Sequence, residues 1–264
     1  AGISFEENQK EGIAHFLEHM IFKGSDKLMP GEFDLKIESL GGSSNASTGF
    51  DDVHYYILIP RERVKESFEM LINLVLNPKL DIKEFILEKE VVIEEIMQYY
   101  DQPDDHISNL FLNRVWVNHP YRKSILGKKK CIKSLKIKDI IEFHERQYIK
   151  ENVCVAIAGN LPEDILEILN DCQITYNKNY FIENIREFKT SIRKGTEITN
   201  IDKIQFSRIF NAWKLEDTYD QKIILGYEIL VSILADGRNS KLLRPLKEEN
   251  NLVESIYAYI NSGE

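Results

Sequence analysis

The chain has 264 residues, of which 43% are hydrophobic and 29% are charged, and its formal net charge is −9. This composition is typical of a globular protein with one large domain or two smaller ones. An acidic chain lacks the basic face that binds phosphate backbones, which argues against a nucleic-acid-binding protein. The lysine run 128–130 is the local exception, and we interpret it as a solvated loop. The longest apolar run, 153–158, is too short to cross a bilayer, so no membrane span is predicted.

In chain order, hydrophobic periodicity predicts helices and strands that alternate without a regular βαβ rhythm. A first helix is expected at 12–22 and a second at 32–40, each followed by a glycine that can end it. A small, polar segment at 43–50 and a β-branched, aromatic segment at 53–59 then predict a strand pair or an extended segment that leads into a strand. Further helices are predicted at 61–76, 85–100, 105–117, 138–148, 220–234 and 240–249, with one more opened by Pro162, and further strands at 153–158 and 204–213.

This mixture of elements indicates an α+β fold in which helices cover largely antiparallel sheets. The chain contains no glycine-rich loop of the nucleotide-binding kind. A polar stretch at 177–195 is the expected connection between two domains. We therefore expect a first domain at residues 1–185 and the first part of a second domain at 186–264.

Three cysteines, Cys131, Cys154 and Cys172, give an odd count, and they form no CxxC pair. A disulfide scaffold and a cysteine zinc site are both disfavoured by this pattern. Thiols of this kind favour a reducing compartment, so we expect a cytoplasmic protein. The sequence opens only a few residues before its first helix, which we interpret as a missing N-terminal segment, and periplasmic or organellar locations therefore stay open.

The first predicted helix carries the motif His15-Phe16-Leu17-Glu18-His19. On a helix both imidazoles project from one face, and Glu18 lies one turn from His15. This H-x-x-E-H order is the reverse of H-E-x-x-H and is typical of inverzincins. In such a site the histidines bind zinc and the glutamate is the general base. Five residues alone also leave open a helix with two incidental histidines.

A third ligand is expected from the helix predicted at 85–100, which is rich in glutamate. Glu88 and Glu95 are seven residues apart and share a face with Val91 and Val92, which we expect to be buried. A buried carboxylate requires a partner or a metal. Glu95 is therefore the predicted third zinc ligand, and Glu88 is predicted to support the site. The remaining glutamates at helical spacing are expected to face water: Glu90 and Glu94.

Several other segments occur together with the motif and in a fixed order. They are Gly12–Met20, the pair Asn45-Ala46 after a glycine break, Glu88 with Glu95, the segments 119–121 and 125–127, and the run 155–160. Taken together they resemble the pitrilysin/insulinase family of zinc peptidases, in particular the branch of processing peptidases and their bacterial relatives. The similarity spans nearly the whole chain and is more specific than the five-residue motif.

The resemblance implies a fold and a set of site residues. It implies two similar domains, each with a mostly antiparallel sheet covered by helices, with the extreme N-terminus and most of the second domain truncated in this chain. It also implies one Zn²⁺ ion per chain bound by His15, His19 and Glu95, with Glu18 as the general base and Glu88 nearby.

The same resemblance implies that Asn45 and Ala46 lie on an edge strand, to which a peptide substrate adds as an extra strand. The residues by themselves favour an ordinary turn at this position. Asn45 and Ala46 are therefore the predicted substrate-binding residues.

The second predicted domain departs from the family pattern. Family members resemble L-R-E-x-x-G-L-x-Y-S here, and the Arg and Tyr help to hold the substrate carbonyl and the developing oxyanion. In this chain Lys247 stands at the Arg position and Glu254 at the Tyr position, and Arg244 is an alternative donor.

Some family members divide the zinc site and the Arg/Tyr pair between two chains. The expected function is therefore that of a zinc-dependent metalloendopeptidase acting on peptides or unfolded polypeptides, as the zinc-bearing subunit that pairs with a homologous chain. The alternative is a non-catalytic assembly subunit of the same family. Such relatives typically lose zinc ligands that this chain keeps, which favours the enzyme.

Overall fold

The computed structural model describes residues 1–171, 191–201, 204, 206–215 and 220–260. The chain divides into two compact units, Ala1–Phe210 and Asn211–Glu264. The predicted domain boundary between residues 185 and 186 lies outside the described residues and stays a prediction. Within the described part, no helix is both long enough and apolar enough to cross a membrane.

In its described residues the first unit is mainly helical, with one antiparallel strand pair, and this confirms the α+β class. Its elements in chain order are α1 (Ile13–Ile21), α2 (Glu32–Ser39), β1 (Ser43–Thr48), β2 (Val53–Leu58), α3 (Val64–Leu76), α4 (Ile82–Asp101), α5 (Pro103–Val115), α6 (Lys129–Ser134), α7 (Ile137–Gln147) and α8 (Ile165–Asp171). Short 3-10 turns occur at Ile3–Phe5, Arg61–Arg63, Pro120–Arg122 and Lys150–Asn152. The second unit contains α9 (Gln221–Ala235) and a π-helical turn, Arg244–Glu249.

Strands β1 and β2 form a hairpin whose register runs from Ser43 opposite Leu58 to Thr48 opposite Val53. The small, polar residues of β1 have little strand preference of their own, and pairing with the β-branched and aromatic β2 holds them extended. Burial alternates along β1, so that Ala46 and Thr48 face the protein. Among the described residues the sheet has only these two strands, which leaves the outer edge of β1 open.

Helix α1 is the centre of the hydrophobic core and is buried on almost every face. Its Phe16 is completely buried and meets Phe85 of α4 edge to face, with ring centroids 5.3 Å apart. Burial of one such side chain contributes about 2 kcal/mol to stability. Helix α1 also packs against α7 and β1, so the motif helix is held from several sides.

The start of α1 depends on a close backbone approach. Gly12 adopts a left-handed φ of 91°, and a Cβ there would lie 2.6 Å from the carbonyl oxygen of Leu126. The buried carboxylate of Glu6 accepts hydrogen bonds from the backbone N–H groups of Gly12 and Ala14, each at 3.1 Å. Only glycine fits this backbone, and the carboxylate satisfies N–H groups that a helix leaves unpaired at its start.

The strand predicted at 153–158 is wrong. These residues have no regular structure, and most of them, including Cys154, are exposed. An apolar run becomes a strand only when a neighbour pairs with its backbone groups, and no neighbour pairs with it in the part of the chain that the structure describes. The strand predicted at 204–213 is likewise not formed by the residues that are described there.

The lysine run at 128–130 is not a loop throughout, because Lys129 begins α6. Lys128 forms an ion pair with Glu11 at 2.7 Å, and Ile132 inserts fully into the core. A buried anchor and a charge partner therefore fix a segment whose composition suggests solvation. The helix predicted at 240–249 is also shorter, and it is π-helical from Arg244.

Candidate metal centre

Helices α1 and α4 bring three metal-binding side chains to one point. His15 and His19 come from α1 and Glu95 from α4, and one ligand atom of each lies within 4.8 Å of the others. The Nε2 atoms of His15 and His19 lie 3.7 and 3.4 Å from the two carboxylate oxygens of Glu95. The two predicted histidines and the predicted glutamate are thus neighbours in space, although 76 residues separate His19 from Glu95.

Glu88 orients the second histidine of the motif. Its Oε1 atom lies 2.8 Å from Nδ1 of His19, and its Oε2 atom accepts from Nζ of Lys23 at 2.7 Å. This contact keeps a proton on Nδ1, so that once His19 loses its other proton the lone pair lies on Nε2, which faces Glu95. Glu88 is only 4% exposed, and the side chains of His19 and Lys23 bind its carboxylate in place of water.

The donor set fits zinc. Two imidazole nitrogens and one carboxylate oxygen match the His₂Glu sets of catalytic zinc sites, which leave a coordination position open. Magnesium and calcium prefer oxygen ligands throughout. The imidazole rings of His15 and His19 pack at 4.6 Å between centroids, and the buried Nδ1 of His15 has no hydrogen-bond partner among the described residues. The other ring nitrogen of His15, Nε2, faces the shared point, 3.7 Å from Glu95.

The two histidines differ in their pKa values. Burial, together with the charge on the neighbouring His19, lowers the pKa of His15 to about 4, against an opposing effect of Glu95. Burial also opposes the charged form of His19, but the carboxylates of Glu88 and Glu95 outweigh burial and raise its pKa to about 9. His15 is neutral and ready to bind a cation, whereas His19 must release a proton when a cation replaces it.

The carboxylates of the site have lowered pKa values. The hydrogen bond from His19 lowers the pKa of Glu95, against an opposing effect of burial. For Glu88, burial raises the pKa, and the bonds to His19 and Lys23 more than reverse this effect. Both groups are therefore negatively charged at neutral pH, as metal binding requires.

Glu18 stands beside this cluster and has a different environment. It is partly buried, and burial raises its pKa, although a hydrogen bond from the Thr48 hydroxyl to its Oε2 atom opposes the rise. The charge on His19 lowers the pKa of Glu18, and the charge on Glu95 raises it. A half-buried carboxylate with a raised pKa next to a metal-binding cluster can accept a proton and later return it.

The outer face of α4 corrects one expectation. Val91, predicted to be buried, is 50% exposed, whereas Val92 is completely buried. The buried face of α4 carries Glu88, Val92 and Ile96, at spacings of four residues, and this places Val91 to one side. Glu95 lies at the margin of that face, with 41% of its side chain exposed. Val91 lines an open groove together with Glu95 and with the exposed residues Glu90, Glu94 and Gln98.

The predicted substrate residues lie on β1, so the turn that their composition favours is not formed. The side chain of Asn45 is exposed, and its amide oxygen accepts from the backbone N–H of Ala46 at 2.8 Å. Two further residues contact the site and were missed from the sequence: Thr48, which bonds Glu18, and Lys23, which bonds Glu88. Spacing offered a signal for both, since Lys23 follows the end of α1 four residues after His19 and Thr48 shares a strand face with Ala46.

In the second unit, Lys247 and Glu254 are both exposed. Arg244, the alternative donor, forms an ion pair with Glu249 at 2.7 Å. Its guanidinium group is therefore already engaged within its own unit.

Two family profiles match consecutive parts of the chain. The profile described as insulinase (peptidase family M16) matches residues 1–129, and the profile described as the peptidase M16 inactive domain matches residues 134–264. The donor residues of the metal centre all lie in the first match.

Curated relatives and solved structures agree with these profiles. The chain is 27% identical to a zinc protease of Rickettsia bellii over 98% of this chain and 62% of the relative. It is 28% identical to the zinc protease PqqE of Helicobacter pylori over 95% of this chain and 57% of that protein. The chain thus spans about three fifths of the length of these relatives.

Two solved structures share the fold. A Helicobacter pylori protease superposes with a TM-score of 0.83 at 24% identity, covering 98% of this chain and 63% of that one. An M16 inactive domain from Pseudomonas fluorescens superposes with a TM-score of 0.77 at 17% identity, covering 97% and 62%. At these identities the likeness concerns the fold.

Proposed function

Because the chain belongs to the insulinase (M16) family of peptidases, we propose that it is the zinc-bearing chain of a metalloendopeptidase that hydrolyses peptides or unfolded polypeptides. The observation that carries the proposal is the convergence of His15, His19 and Glu95 on one point, with Glu18 of the same helix beside it. Since the chain spans about 62% of its relatives, the activity of the whole protein is part of the proposal.

The residues present divide the chemistry among them. His15, His19 and Glu95 would hold one zinc ion, which when bound polarises the peptide carbonyl and lowers the pKa of a water molecule. Glu18 takes a proton from the attacking water and delivers it to the nitrogen of the leaving amine. Its raised pKa suits a group that holds a proton between these two transfers.

The open edge of β1 is the proposed substrate-binding element. A peptide in extended conformation can add to an unpaired strand edge through main-chain hydrogen bonds, largely independently of its side chains. The N–H group of Ala46 now donates to the Asn45 side chain, so this side chain must move before Ala46 can pair with a peptide. Binding of this kind selects extended chains, which favours peptides and unfolded segments over folded proteins.

The second unit supports a two-chain enzyme. Lys247 and Glu254 occupy the positions of the family's Arg and Tyr, and a carboxylate beside a developing oxyanion repels it. A homologous partner chain would supply the missing pair.

A non-catalytic assembly subunit is the alternative function. The match of residues 134–264 to a profile for an inactive domain is the observation that supports it. The cytoplasmic location stays a prediction.

Metal analysis together with peptide cleavage tests the proposal. We expect the full-length protein to bind one zinc ion, and the Glu18→Gln variant to bind zinc equally well while losing roughly 10²- to 10⁴-fold in kcat, because a general base contributes about this much. Glu94→Gln, an exposed substitution on α4, is the control and should leave kcat unchanged. Failure of the wild type to bind zinc after reconstitution would exclude the proposed function.

Partner dependence needs a separate experiment. Turnover of an extended peptide by the purified full-length protein should be slow alone and faster when a homologous chain with the Arg/Tyr pair is added. If the purified protein turns over the peptide as fast alone as in the mixture, the two-chain proposal is wrong. The proposal that the chain is a metalloendopeptidase is not affected by that result.

A further inference from the structure

Thr48 is the last residue of β1 and makes a contact that the zinc-binding residues do not make. Its side chain faces the protein interior and is 8% exposed. Its hydroxyl donates a hydrogen bond to Oε2 of Glu18, which is 30 residues away in the chain. In the described part of the chain this is the side-chain hydrogen bond that acts on the Glu18 carboxylate, and it engages Oε2 and not Oε1.

A single directed hydrogen bond of this kind controls the orientation of a carboxylate. Rotation about the last side-chain bond of glutamate is broad, because this torsion joins sp³ and sp² atoms. A donor fixed on Oε2 restricts the rotation and leaves Oε1 as the oxygen that can meet a water molecule. A hydrogen bond to an ionised acceptor is shorter and stronger than one between neutral groups, so the restriction is effective.

Thr48 is itself held in place by the loop that follows it. The N–H of Gly49 donates to the carbonyl of Asp52 at 2.8 Å, which closes the β1–β2 turn. The carboxylate of Asp51 accepts from Ser4 at 2.6 Å and also from the Tyr121 hydroxyl. The loop is thus attached to two distant segments of the chain. These attachments hold the backbone that carries the Thr48 hydroxyl.

We propose that Thr48 is a positioning residue that fixes the Glu18 carboxylate for proton transfer and links it to the strand on which the peptide adds. This inference rests on the proposed function, because it assumes that Glu18 is the general base. The link follows from the strand itself, since Thr48 and Ala46 lie on the same face of β1. A peptide that pairs with β1 is thereby placed in a fixed relation to the base.

Two substitutions separate the hydroxyl from the shape of the side chain. Thr48→Val keeps the β-branched shape and removes the donor, and Thr48→Ser keeps the donor. We expect kcat to fall roughly 10- to 100-fold in Thr48→Val, since small misplacements of a reacting group cost about this much, with KM and zinc affinity changed by less than about twofold. Thr48→Ser should recover most of the loss. Thr196→Val, the same substitution at an exposed threonine outside β1 and the metal centre, is the matched control and should leave kcat unchanged.

A crystal structure provides a readout that does not depend on turnover. The Glu18 carboxylate should occupy one orientation in the wild type and in Thr48→Ser, and more than one in Thr48→Val. An unchanged kcat and a single carboxylate orientation in Thr48→Val overturn the inference. A loss that Thr48→Ser does not recover, or a loss accompanied by weaker zinc binding, shows a purely structural role and also overturns it.

The Glu18→Gln variant distinguishes this failure from failure of the proposed function. If Glu18→Gln is inactive and Thr48→Val is fully active, only the role of Thr48 is lost. If Glu18→Gln keeps its activity, the proposed general base is wrong, and the role of Thr48 falls with it.

Discussion

The two units differ in how far they bury their side chains. In Ala1–Phe210, Glu6, His15 and Glu88 are buried, and each carboxylate among them is matched by donors. In Asn211–Glu264, the described residues include no buried apolar side chain, and α9 has no buried residue. The difference teaches where metal chemistry can arise, because donors must be withdrawn from water and oriented by neighbours before they bind an ion selectively.

Removal of a donor from the first unit has the largest effect expected in this comparison. Glu95→Gln replaces a charged ligand with a neutral amide and should weaken zinc binding by roughly 100-fold or more, since changes to groups that merely support a ligand already cost 10- to 100-fold. Competition titration of zinc against a chelator measures this loss.

Glu94→Gln is the matched control, because Glu94 is the neighbouring residue on α4 and is exposed. Its zinc affinity should equal that of the wild type. Equal weakening in both variants indicates a general charge effect and contradicts a specific role of Glu95.

The second unit can be tested by adding what it lacks. The double substitution Lys247→Arg and Glu254→Tyr installs the Arg and Tyr that the family pattern has at these two positions. We expect turnover by the purified full-length protein alone to rise by roughly tenfold, somewhat less than one oxyanion donor can contribute, with zinc content unchanged. Steady-state peptide hydrolysis measures the change.

Glu248→Tyr places the same aromatic side chain on a neighbouring exposed position and should leave turnover unchanged. No gain in the double variant, or an equal gain in the control, shows that these two positions do not limit the reaction.

The last effect is on stability alone, with zinc binding and turnover not involved, and it concerns the buried carboxyl group at the start of α1. Burial raises the pKa of Glu6 from 4.5 to about 8, although the N–H groups of Ala14 and Gly12 oppose the rise. Between these pH values the folded protein holds a proton that the unfolded chain releases. The free energy of unfolding therefore falls as the pH rises, by up to about 1.4 kcal/mol per pH unit from this group.

Glu6→Gln removes the titrating group and should remove this part of the pH dependence. Urea unfolding between about pH 5 and pH 8 compares the slopes, with Glu69→Gln, an exposed substitution on α3, as the control. Identical slopes in the wild type and Glu6→Gln contradict a raised pKa at Glu6.

Sequence patterns predicted the helices of the site well, because helical periodicity is a local property. The bounds of α1 and α4 agree with prediction to within about three residues, and the pairing of β1 with β2 follows from the strand character of β2. The prediction of a strand at 153–158 was wrong, because a strand needs a neighbouring strand to pair with, and the run itself carries no information about that neighbour.

The sequence by itself determined that His15, Glu18 and His19 share a helix and that Glu88 and Glu95 share a helix face, since both statements require only a period of 3.6 residues. Only the tertiary structure decided that Glu95 reaches the two histidines, that Glu88 takes Lys23 as a second partner, and that Thr48 bonds Glu18. These contacts join elements far apart in the chain, and their formation depends on how α1 packs against α4 and β1. Packing depends on the shapes of many side chains together, and no local pattern specifies it.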